Sequence, residues 1–342
     1  MSQDKKINLF GLSEDELKQV AADLGEKPFR GRQLYNWIYE QKAGSFDEMG
    51  NLPKAFREKL DRKYQVFTGI IERKQVDPED GTIKYLTRLD DGEFVESVLM
   101  EYEHGNSICL STQVGCNMGC TFCASGLGGK VRDLTAAEIA GQIVSAEKDS
   151  GRRVSNVVLM GMGEPLDNFD EVIRFIELAN KELGIGQRHI TLSTCGLVPG
   201  IERLGDLGLQ INLAVSLHSP FQTERAKIMP VARAFPIDRL IQACDDYFDK
   251  TGRRVTYEYT LIDGVNDRPE DVAELKKLVG GKPHHINLIP LNSVTETNHK
   301  RSHNVNLFAS ELKKLGLNST IRRKNGSNID AACGQLRRNS MR

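Results

Sequence analysis

Apolar residues recur at helical intervals in the first part of the chain. Leu17 and Ala21 share one face of a helix that opens with a capping box formed by Ser13 and Glu16. Two further segments of helical period follow, and the second is preceded by a proline, a residue that favours the start of a helix. The pattern predicts a small helical accessory domain over residues 1–64, which would serve to dock RNA or a partner.

The period of the apolar residues shortens to two after this domain. Alternating runs occur at 68–71, 83–89 and 94–100. The sequences Asp-Pro-Glu-Asp-Gly and Asp-Asp-Gly, which form turns, separate them. We predict a short antiparallel β meander, or linker, over residues 65–105.

From residue 106 onward, short apolar runs alternate with amphipathic segments of helical period. The predicted strands are 107–113, 156–160, 190–193, 211–217, 256–261, 285–288 and a late 319–322. The predicted helices start near Thr135, Phe169, Val198, Ile237, Pro269 and Leu307. Repeated β–α alternation predicts a parallel sheet covered by helices. We therefore expect an α/β fold over residues 106–342, a partial six-stranded β/α barrel with its chemistry at the carboxyl ends of the strands.

Composition is that of an ordinary globular protein. Of 342 residues, 39% are hydrophobic and 27% are charged, and the formal net charge is −1. No apolar run approaches the roughly 20 residues that a membrane span needs. The first residues are polar, so we expect a cytoplasmic protein in which the seven cysteines are reduced thiols or metal ligands.

Basic residues are concentrated toward both ends of the chain, although the overall charge is near zero. The C-terminal group comprises Arg322, Arg323, Lys324, Arg337, Arg338 and Arg342. Solvated surfaces and a charged tail explain this distribution as well as contacts to RNA phosphates do. Charge alone therefore leaves both interpretations open.

Three cysteines, Cys116, Cys120 and Cys123, are spaced C-x3-C-x2-C, and Cys109 lies seven residues upstream of the first. An iron–sulfur cluster normally has four cysteine ligands, so three local ligands would leave one iron open for chemistry. Two other classes of protein are compatible with the cysteines alone. One is an RNA-binding module stabilised by zinc, and the other is a ferredoxin-like electron carrier.

Small or polar residues lie at or just after the ends of several of the predicted strands. They include Gly163, Glu164, Ser193, Ser216, His218 and Asn292. Each alone is an ordinary turn or capping residue, but their recurrence at successive strand ends favours a site for a polar small molecule. Cys195 also lies at a strand end and is interpreted as structural, as is Cys244 within a helix.

Two residues stand out from their surroundings. Glu96 lies in an apolar strand, where simple alternation would place it on the solvent side with no function. Cys333 lies in the segment Asn-Ile-Asp-Ala-Ala-Cys-Gly-Gln-Leu, although a lone cysteine is more often a small packing residue.

Together these motifs resemble a known family. Cys116, Cys120 and Cys123, with Phe122, are similar to the cluster signature of radical S-adenosylmethionine (radical SAM) enzymes. Gly163-Glu164-Pro165 is similar to the motif of that superfamily that binds the SAM amino group. The segment around Cys333 narrows the resemblance to the RlmN/Cfr family of RNA adenine methyltransferases, over nearly the whole chain.

The resemblance implies cofactors and their ligands. Cys116, Cys120 and Cys123 would hold a 4Fe–4S cluster whose fourth iron binds SAM. The residues implied in SAM binding are Gly163, Glu164, Ser193, Ser216, Leu217, His218 and Asn292. The family uses two SAM molecules per turnover and an external electron donor such as flavodoxin, and we expect a monomer.

The resemblance also implies a reaction. Cys333 would accept a methyl group from one SAM, and a 5′-deoxyadenosyl radical from a second would remove a hydrogen from it. The resulting methylene radical would add to the adenine, with Glu96 as the candidate proton acceptor. Cys109 would then resolve the covalent protein–RNA adduct and leave a Cys109–Cys333 disulfide.

Two regiochemistries occur in the family. RlmN members methylate carbon 2 of adenine 2503 in 23S rRNA, and in some bacteria carbon 2 of a tRNA adenine. Cfr members methylate carbon 8 of the same rRNA adenine and confer antibiotic resistance. Val114, Pro165 and Leu291 match the pattern expected of carbon 2 enzymes.

Overall fold

The computed structural model describes residues 6–291, 299–323, 325–326 and 328–329. Within these ranges the helices are α1 Glu14–Asp23, α2 Phe29–Tyr35, α3 Lys54–Lys63, α4 Ala136–Ser150, α5 Phe169–Lys181, α6 Val198–Asp206, α7 Gln222–Ile228, α8 Val231–Ala234, α9 Ile237–Thr251, α10 Pro269–Val279 and α11 Val305–Lys314. The strands are β1 Ile7–Asn8, β2 Tyr64–Gln65, β3 Ile70–Val76, β4 Ile83–Arg88, β5 Phe94–Tyr102, β6 Gly105–Cys109, β7 Gln113–Gly115, β8 Lys130–Asp133, β9 Val154–Leu159, β10 Ile190–Thr194, β11 Asn212–Ser216, β12 Val255–Leu261, β13 His284–Pro290 and β14 Ser319–Ile321.

One ten-stranded sheet organises the described part of the chain. Its order is β14-β13-β12-β11-β10-β9-β6-β5-β4-β3. The strands from β14 to β6 are parallel, and β5, β4 and β3 continue the sheet in antiparallel pairing. The predicted α/β fold and the antiparallel meander are therefore confirmed.

The sheet curls into a partial barrel. Side chains from strands at opposite ends of the parallel part line one open cavity of about 730 Å³, among them Met100, Ser107, Val158, Thr191, Glu258 and Arg322. The other face of the sheet packs under the helices in a continuous apolar core. Both faces of the central strands are therefore covered, as is usual for parallel sheets.

The N-terminal helices form as the sequence predicts. Ser13 caps α1, and Glu16 completes the capping box. Strands β1 and β2, which were not predicted, pair with each other at the two ends of this unit. The Tyr35 hydroxyl donates a hydrogen bond over 2.5 Å to Glu182, the residue that follows α5, and Lys42 Nζ lies 2.6 Å from Glu147 of α4. The unit is therefore tied to the barrel by polar contacts, while its boundary at residue 64 stays a prediction.

One predicted strand is wrong in its extent. The run 107–113 divides into β6, which ends at Cys109, and β7, which leaves the main sheet to pair with β8. The residues between them bond to the loop after β9 instead, since Leu110 O accepts from Gly161 N and Thr112 N donates to Met162 O. Two short helices, α7 and α8, were not predicted, and α11 begins two residues earlier than expected.

Among the helices that the structure describes, none is both long and apolar enough to cross a lipid bilayer.

Candidate active site at the carboxyl ends of the strands

The three clustered cysteines lie on the loop between β7 and β8. Gly115, at the start of the loop, has a φ of +82°, and a Cβ added there would lie 1.9 Å from the carbonyl oxygen of Gly129. Only glycine fits such a position. Cys116 N donates to that same carbonyl, and Lys130 N donates to the Asn117 side chain. These bonds close the loop at its base and hold its thiols on one short segment.

The thiols lie in apolar surroundings. Cys116 is buried, and burial raises its pKa to about 11. Burial also raises the pKa of Cys120, and the neighbouring Cys116 and Cys123 thiols add to this effect through their charges. Cys120 packs against a cluster that includes Cys195 and Ile228. The three sulfurs are thus close enough to affect one another electrostatically.

This donor set fits an iron–sulfur cluster. In the described ranges, no three His, Cys, Asp or Glu side chains are placed to share a single metal ion. A four-iron cluster instead takes each thiolate at a different iron, and its positive irons offset the cost of deprotonating buried thiols. Cys116, Cys120 and Cys123 would hold such a cluster.

The loop after β9 is hydrogen-bonded to the segment that precedes the cysteines. Gly163 has a φ of +108°, and a Cβ there would lie 2.7 Å from the Cβ of Gln113. The Gln113 side chain accepts a hydrogen bond from Glu164 N over 2.8 Å, and the Ser111 hydroxyl accepts one from Met162 N. Gln113, which the sequence did not single out, therefore fixes the loop that carries Glu164.

The Glu164 carboxylate is buried and points toward the next strand end. It accepts hydrogen bonds from Cys195 N over 2.7 Å and from Leu166 N over 3.0 Å. Burial raises its pKa, and these backbone donors oppose that rise. A buried carboxylate placed in this way can receive a cation such as an amino acid ammonium group, which would stabilise its charged form.

Arg225, a residue the sequence also did not single out, joins the following strand ends. It lies on α7 and is fully buried. Its guanidinium donates to the carbonyl oxygens of Cys195, Ser216 and Leu217 at 2.8, 3.0 and 3.1 Å. Since α7 also contacts the cysteine loop through Thr121 N and Ile228 O, Arg225 ties β10 and β11 to that loop.

Replacing Arg225 by methionine is expected to loosen this corner of the site. Each of the three carbonyls would lose a buried donor, at a cost of roughly 1–3 kcal/mol per group left unsatisfied. Urea unfolding should show the loss, and iron retained after anaerobic reconstitution should fall with it. Lys227→Met, at an exposed position of the same helix, should change neither quantity, and equal behaviour of the two variants would contradict this role.

His218 links the end of β11 to β12. Its φ is +55°, and its Nδ1 accepts a hydrogen bond from Thr260 N over 2.9 Å. Burial lowers its pKa to about 3, so the ring is neutral with its proton on Nε2. The ring meets that of Phe122 edge-on, with centroids 4.9 Å apart. His218 is thereby placed against the cysteine loop, two strands away from Glu164.

The predicted SAM-binding residues are brought to adjacent strands. Ser193 on β10 pairs in register with Ala214 of β11, and both Ser193 and Ser216 are partly exposed. Leu217 and His218 follow Ser216 directly and are buried. Gly163 and Glu164 follow β9, the neighbour of β10. Asn292 and Cys333 lie outside the described residues.

Cys109 and Glu96 lie on the inner face of the barrel. Cys109 is the last residue of β6, opposite Val98 of β5, and it packs with Val98 and Met100. Glu96 is on the same face of β5 because it is two residues from Val98. The expectation that Glu96 faces solvent is wrong: it is 3% exposed and its carboxylate lies 2.9 Å from Lys84 Nζ. No disulfide joins two of the described cysteines.

Known proteins resemble this chain over almost all of its length. The profile of the Radical SAM superfamily matches residues 110–276, and that of the ribosomal RNA large subunit methyltransferase N-terminal domain matches residues 7–66. A probable dual-specificity RNA methyltransferase RlmN of Alkaliphilus oremlandii is 50% identical over 98% of both chains. The corresponding protein of Lachnospira eligens is 51% identical over 98% of this chain and 97% of its own. This chain belongs to the RlmN family of radical SAM RNA methyltransferases. A crystal structure of a radical SAM methyltransferase from Sphaerobacter thermophilus superposes on it with a TM-score of 0.91, at 42% identity over 96% of this chain and 98% of that one.

Membership of the RlmN family decides between the classes that the cysteines left open. The chain is a SAM-dependent enzyme, so neither a zinc-stabilised binding module nor a ferredoxin-like carrier describes it. The radical SAM family implies a 4Fe–4S cluster and SAM, as the sequence predicted. The cysteine loop and the linked strand ends are where the residues fit these groups.

Proposed function

We propose that this enzyme methylates carbon 2 of an adenine in 23S rRNA, and also an adenine in tRNA, by way of a methyl group carried on Cys333. The names of the relatives, as dual-specificity RNA methyltransferases, support two classes of RNA substrate. The observation that carries the proposal is the placement of Cys109 and Glu96. Cys109 packs with Val98 and Met100 on the inner face of the barrel, and the buried Glu96 lies on the same face of β5.

The target atom explains why such a route is needed. Carbon 2 of adenine is electron-poor and is not a nucleophile, so it cannot take a methyl group from SAM by ordinary displacement. When bound, the cofactors supply a methyl group and a radical able to remove a hydrogen from it. The protein supplies the thiol that carries the carbon and the groups that position it.

The protein residues divide into three roles. Cys116, Cys120 and Cys123 hold the cluster, and Glu164 binds the SAM ammonium group. The remaining SAM contacts come from Gly163, Ser193, Ser216, Leu217, His218 and Asn292. Neutral His218 can donate from Nε2 because its Nδ1 already accepts from Thr260 N. Two SAM molecules are consumed per turnover, one to donate the methyl group and one to supply the radical. An external donor such as flavodoxin supplies electrons.

Catalysis then depends on Cys333, Glu96 and Cys109. The carbon radical carried on Cys333 adds to carbon 2 of the adenine. The adduct then gives one electron to the external electron carrier, and Glu96 accepts the proton that leaves carbon 2. The Cys109 sulfur attacks the Cys333 sulfur, so a disulfide forms as the sulfur–carbon bond breaks. The electron pair of that bond stays with the carbon, which takes a proton and becomes the methyl group. An external reductant restores both thiols.

Replacing Glu96 by glutamine tests the proton acceptor. We expect the methylation rate to fall by roughly 10²–10⁴-fold, the range for loss of a general base. Cluster content and SAM affinity should be unchanged, since neither depends on this carboxylate. Glu101→Gln removes a negative charge from an exposed position of the same strand and should be fully active. Full activity of the Glu96 variant would exclude the role.

The site of methylation is tested by analysing the product. Anaerobic incubation with SAM, a reductant and 23S rRNA fragments, followed by mass spectrometry of nucleosides, should give 2-methyladenosine. A separate reaction with tRNA tests the second substrate. Val114, Pro165 and Leu291, all buried in the structure, support carbon 2. Formation of 8-methyladenosine would instead assign the enzyme to the Cfr type.

A further inference from the structure

We propose that Asp77 and Asp80, on the turn between β3 and β4, are positioning residues that anchor the C-terminal segment leading to Cys333. The proposal rests on the function proposed for that cysteine. The turn was predicted only as a connection between two strands. Its carboxylates instead hold a part of the chain almost 250 residues away in sequence.

The turn itself is rigid. Asp77 N donates to Thr82 O over 2.8 Å, and Gly81 N donates to Asp77 O over 3.0 Å. The Arg152 guanidinium, from the loop after α4, donates to Gly81 O over 3.0 Å. The turn is therefore closed on itself and fastened to the barrel, so its side chains have a fixed place.

Each aspartate uses one carboxylate oxygen within the turn and directs the other outward. Inside the turn, Glu79 N donates to Asp77 Oδ1 and Thr82 N donates to Asp80 Oδ1, both over 2.9 Å. These bonds orient the two carboxylates and leave both Oδ2 atoms facing the C-terminal segment.

The outward oxygens bind the backbone of that segment. Gly326 N donates to Asp80 Oδ2 over 2.8 Å, and Asn328 N donates to Asp77 Oδ2 over 2.9 Å. The Asn328 side chain also donates to Asp77 Oδ1 over 3.1 Å. Hydrogen bonds from N–H groups to charged carboxylates are among the stronger ones in proteins.

A further bond extends the anchor along β5. The Asn325 side chain donates to the Tyr102 hydroxyl over 2.6 Å. Asn325, Gly326 and Asn328, named here the crossing segment, follow β14 at one end of the sheet yet bind the strands near its other end. The described residues of the crossing segment therefore lie beside β5 and the turn between β3 and β4, at the far end of the sheet from β14.

The anchor sets how far Cys333 can lie from its catalytic partner. Cys333 follows Asn328 by five residues, which reach at most roughly 18 Å when extended. The turn that holds Asn328 joins β3 and β4, and β4 is two strands away from β6, the strand of Cys109, a lateral distance of roughly 10 Å. Five residues can cover that distance, so an anchor at the turn would limit how far Cys333 can lie from Cys109.

The electrostatics agree with this arrangement. The Asn328 N–H is the main cause of a lowered pKa at Asp77. Burial would raise the pKa of Asp80, but the hydrogen bonds from Gly326 and Thr82 lower it overall. Both oxygens of each carboxylate accept from N–H donors, so an asparagine would direct its own NH₂ group against one of them.

The test uses hydrogen exchange of the full holoenzyme, prepared anaerobically. In Asp77→Asn and in Asp80→Asn, amides of the peptide 322–329 should exchange at least tenfold faster, while peptides from β9 and β10 keep their protection. Tyr102→Phe, which removes the bond to Asn325 without altering the turn, should show a smaller increase. Glu79→Gln removes a charge from the exposed tip of the same turn and should leave exchange unchanged.

A second readout separates positioning from simple stability. Both aspartate variants should cleave SAM at the normal rate but form fewer methylated RNA molecules per 5′-deoxyadenosine released, by tenfold or more. The proposal would be overturned if exchange at 322–329 were unchanged. It would also be overturned if exchange were faster but the yield of methylated RNA per 5′-deoxyadenosine stayed normal. An active Cys333→Ala enzyme would refute the proposed function. The exchange measurements would still test whether Asp77 and Asp80 hold the crossing segment, because exchange does not depend on the chemistry of Cys333.

Discussion

Replacing Cys333 by alanine is expected to abolish RNA methylation while leaving the cofactors in place. The predicted cluster ligands lie on the loop between β7 and β8, and the strand ends that fit SAM belong to β9, β10 and β11. Cys333 belongs to none of these elements. Iron content, the absorbance near 400 nm and SAM affinity should match those of the unmodified enzyme, and methylated RNA should fall to background.

A matched cysteine variant makes this result interpretable. Cys244 is 1% exposed within α9, in the apolar core outside the barrel. Cys244→Ala should retain the full methylation rate with a small loss of stability, since one sulfur is removed from a packed position. Substantial methylation by Cys333→Ala, or loss of iron in that variant alone, would contradict the carrier role.

Replacing Cys109 by alanine should trap the enzyme on its substrate. Cys109 ends β6 and packs against Val98 and Met100 inside the barrel, so alanine removes a thiol there without displacing the strand. Carbon would still be transferred from Cys333 to the adenine, but no thiolate would break the sulfur–carbon bond. A covalent protein–RNA species should accumulate, visible as a band of reduced mobility under denaturing conditions that nuclease removes.

The double variant is the control for this trap. Cys109→Ala combined with Cys333→Ala should give no covalent species, because the atom that binds the RNA is absent. Continued turnover by Cys109→Ala without adduct would show that another group resolves the intermediate. Adduct formation in the double variant would move the attachment point away from Cys333.

The local arrangement of the candidate site could be predicted from the sequence. Cys116, Cys120 and Cys123 lie within one short loop, so their spacing alone predicts a shared centre. Glu164 follows a strand of a β/α fold, and strand ends of such folds meet at one mouth. The structure places both features there, joined through the cysteine packing around Cys195.

The residues that connect the site could not be predicted, because their partners are distant in sequence. Arg225 bonds to carbonyl groups that follow two different strands, and any arginine on an amphipathic helix would look the same in the sequence. Asp77 and Asp80 resemble ordinary turn residues until the crossing segment is placed beside them. The only hint in the sequence that Gln113 belongs to the site was its position between Cys109 and Cys116.

The alternation of apolar and polar residues gave a wrong prediction of exposure for a strand that is covered on both faces. Glu96 sits in a regular alternating run, which in a two-layer protein would put it in water. Here β5 lies between β4 and β6, with the core helices on one face and the barrel interior on the other. A charged residue in an apolar strand of a β/α barrel is therefore better interpreted as facing the interior.

Passage of the methyl carbon through a protein thiol is tested most directly by the mass of the transferred group. With SAM carrying a trideuterated methyl group, we predict 2-methyladenosine that contains two deuterium atoms and one ordinary hydrogen in its methyl group, because one deuterium is removed before carbon–carbon bond formation. Transfer of all three deuterium atoms to the RNA would contradict it.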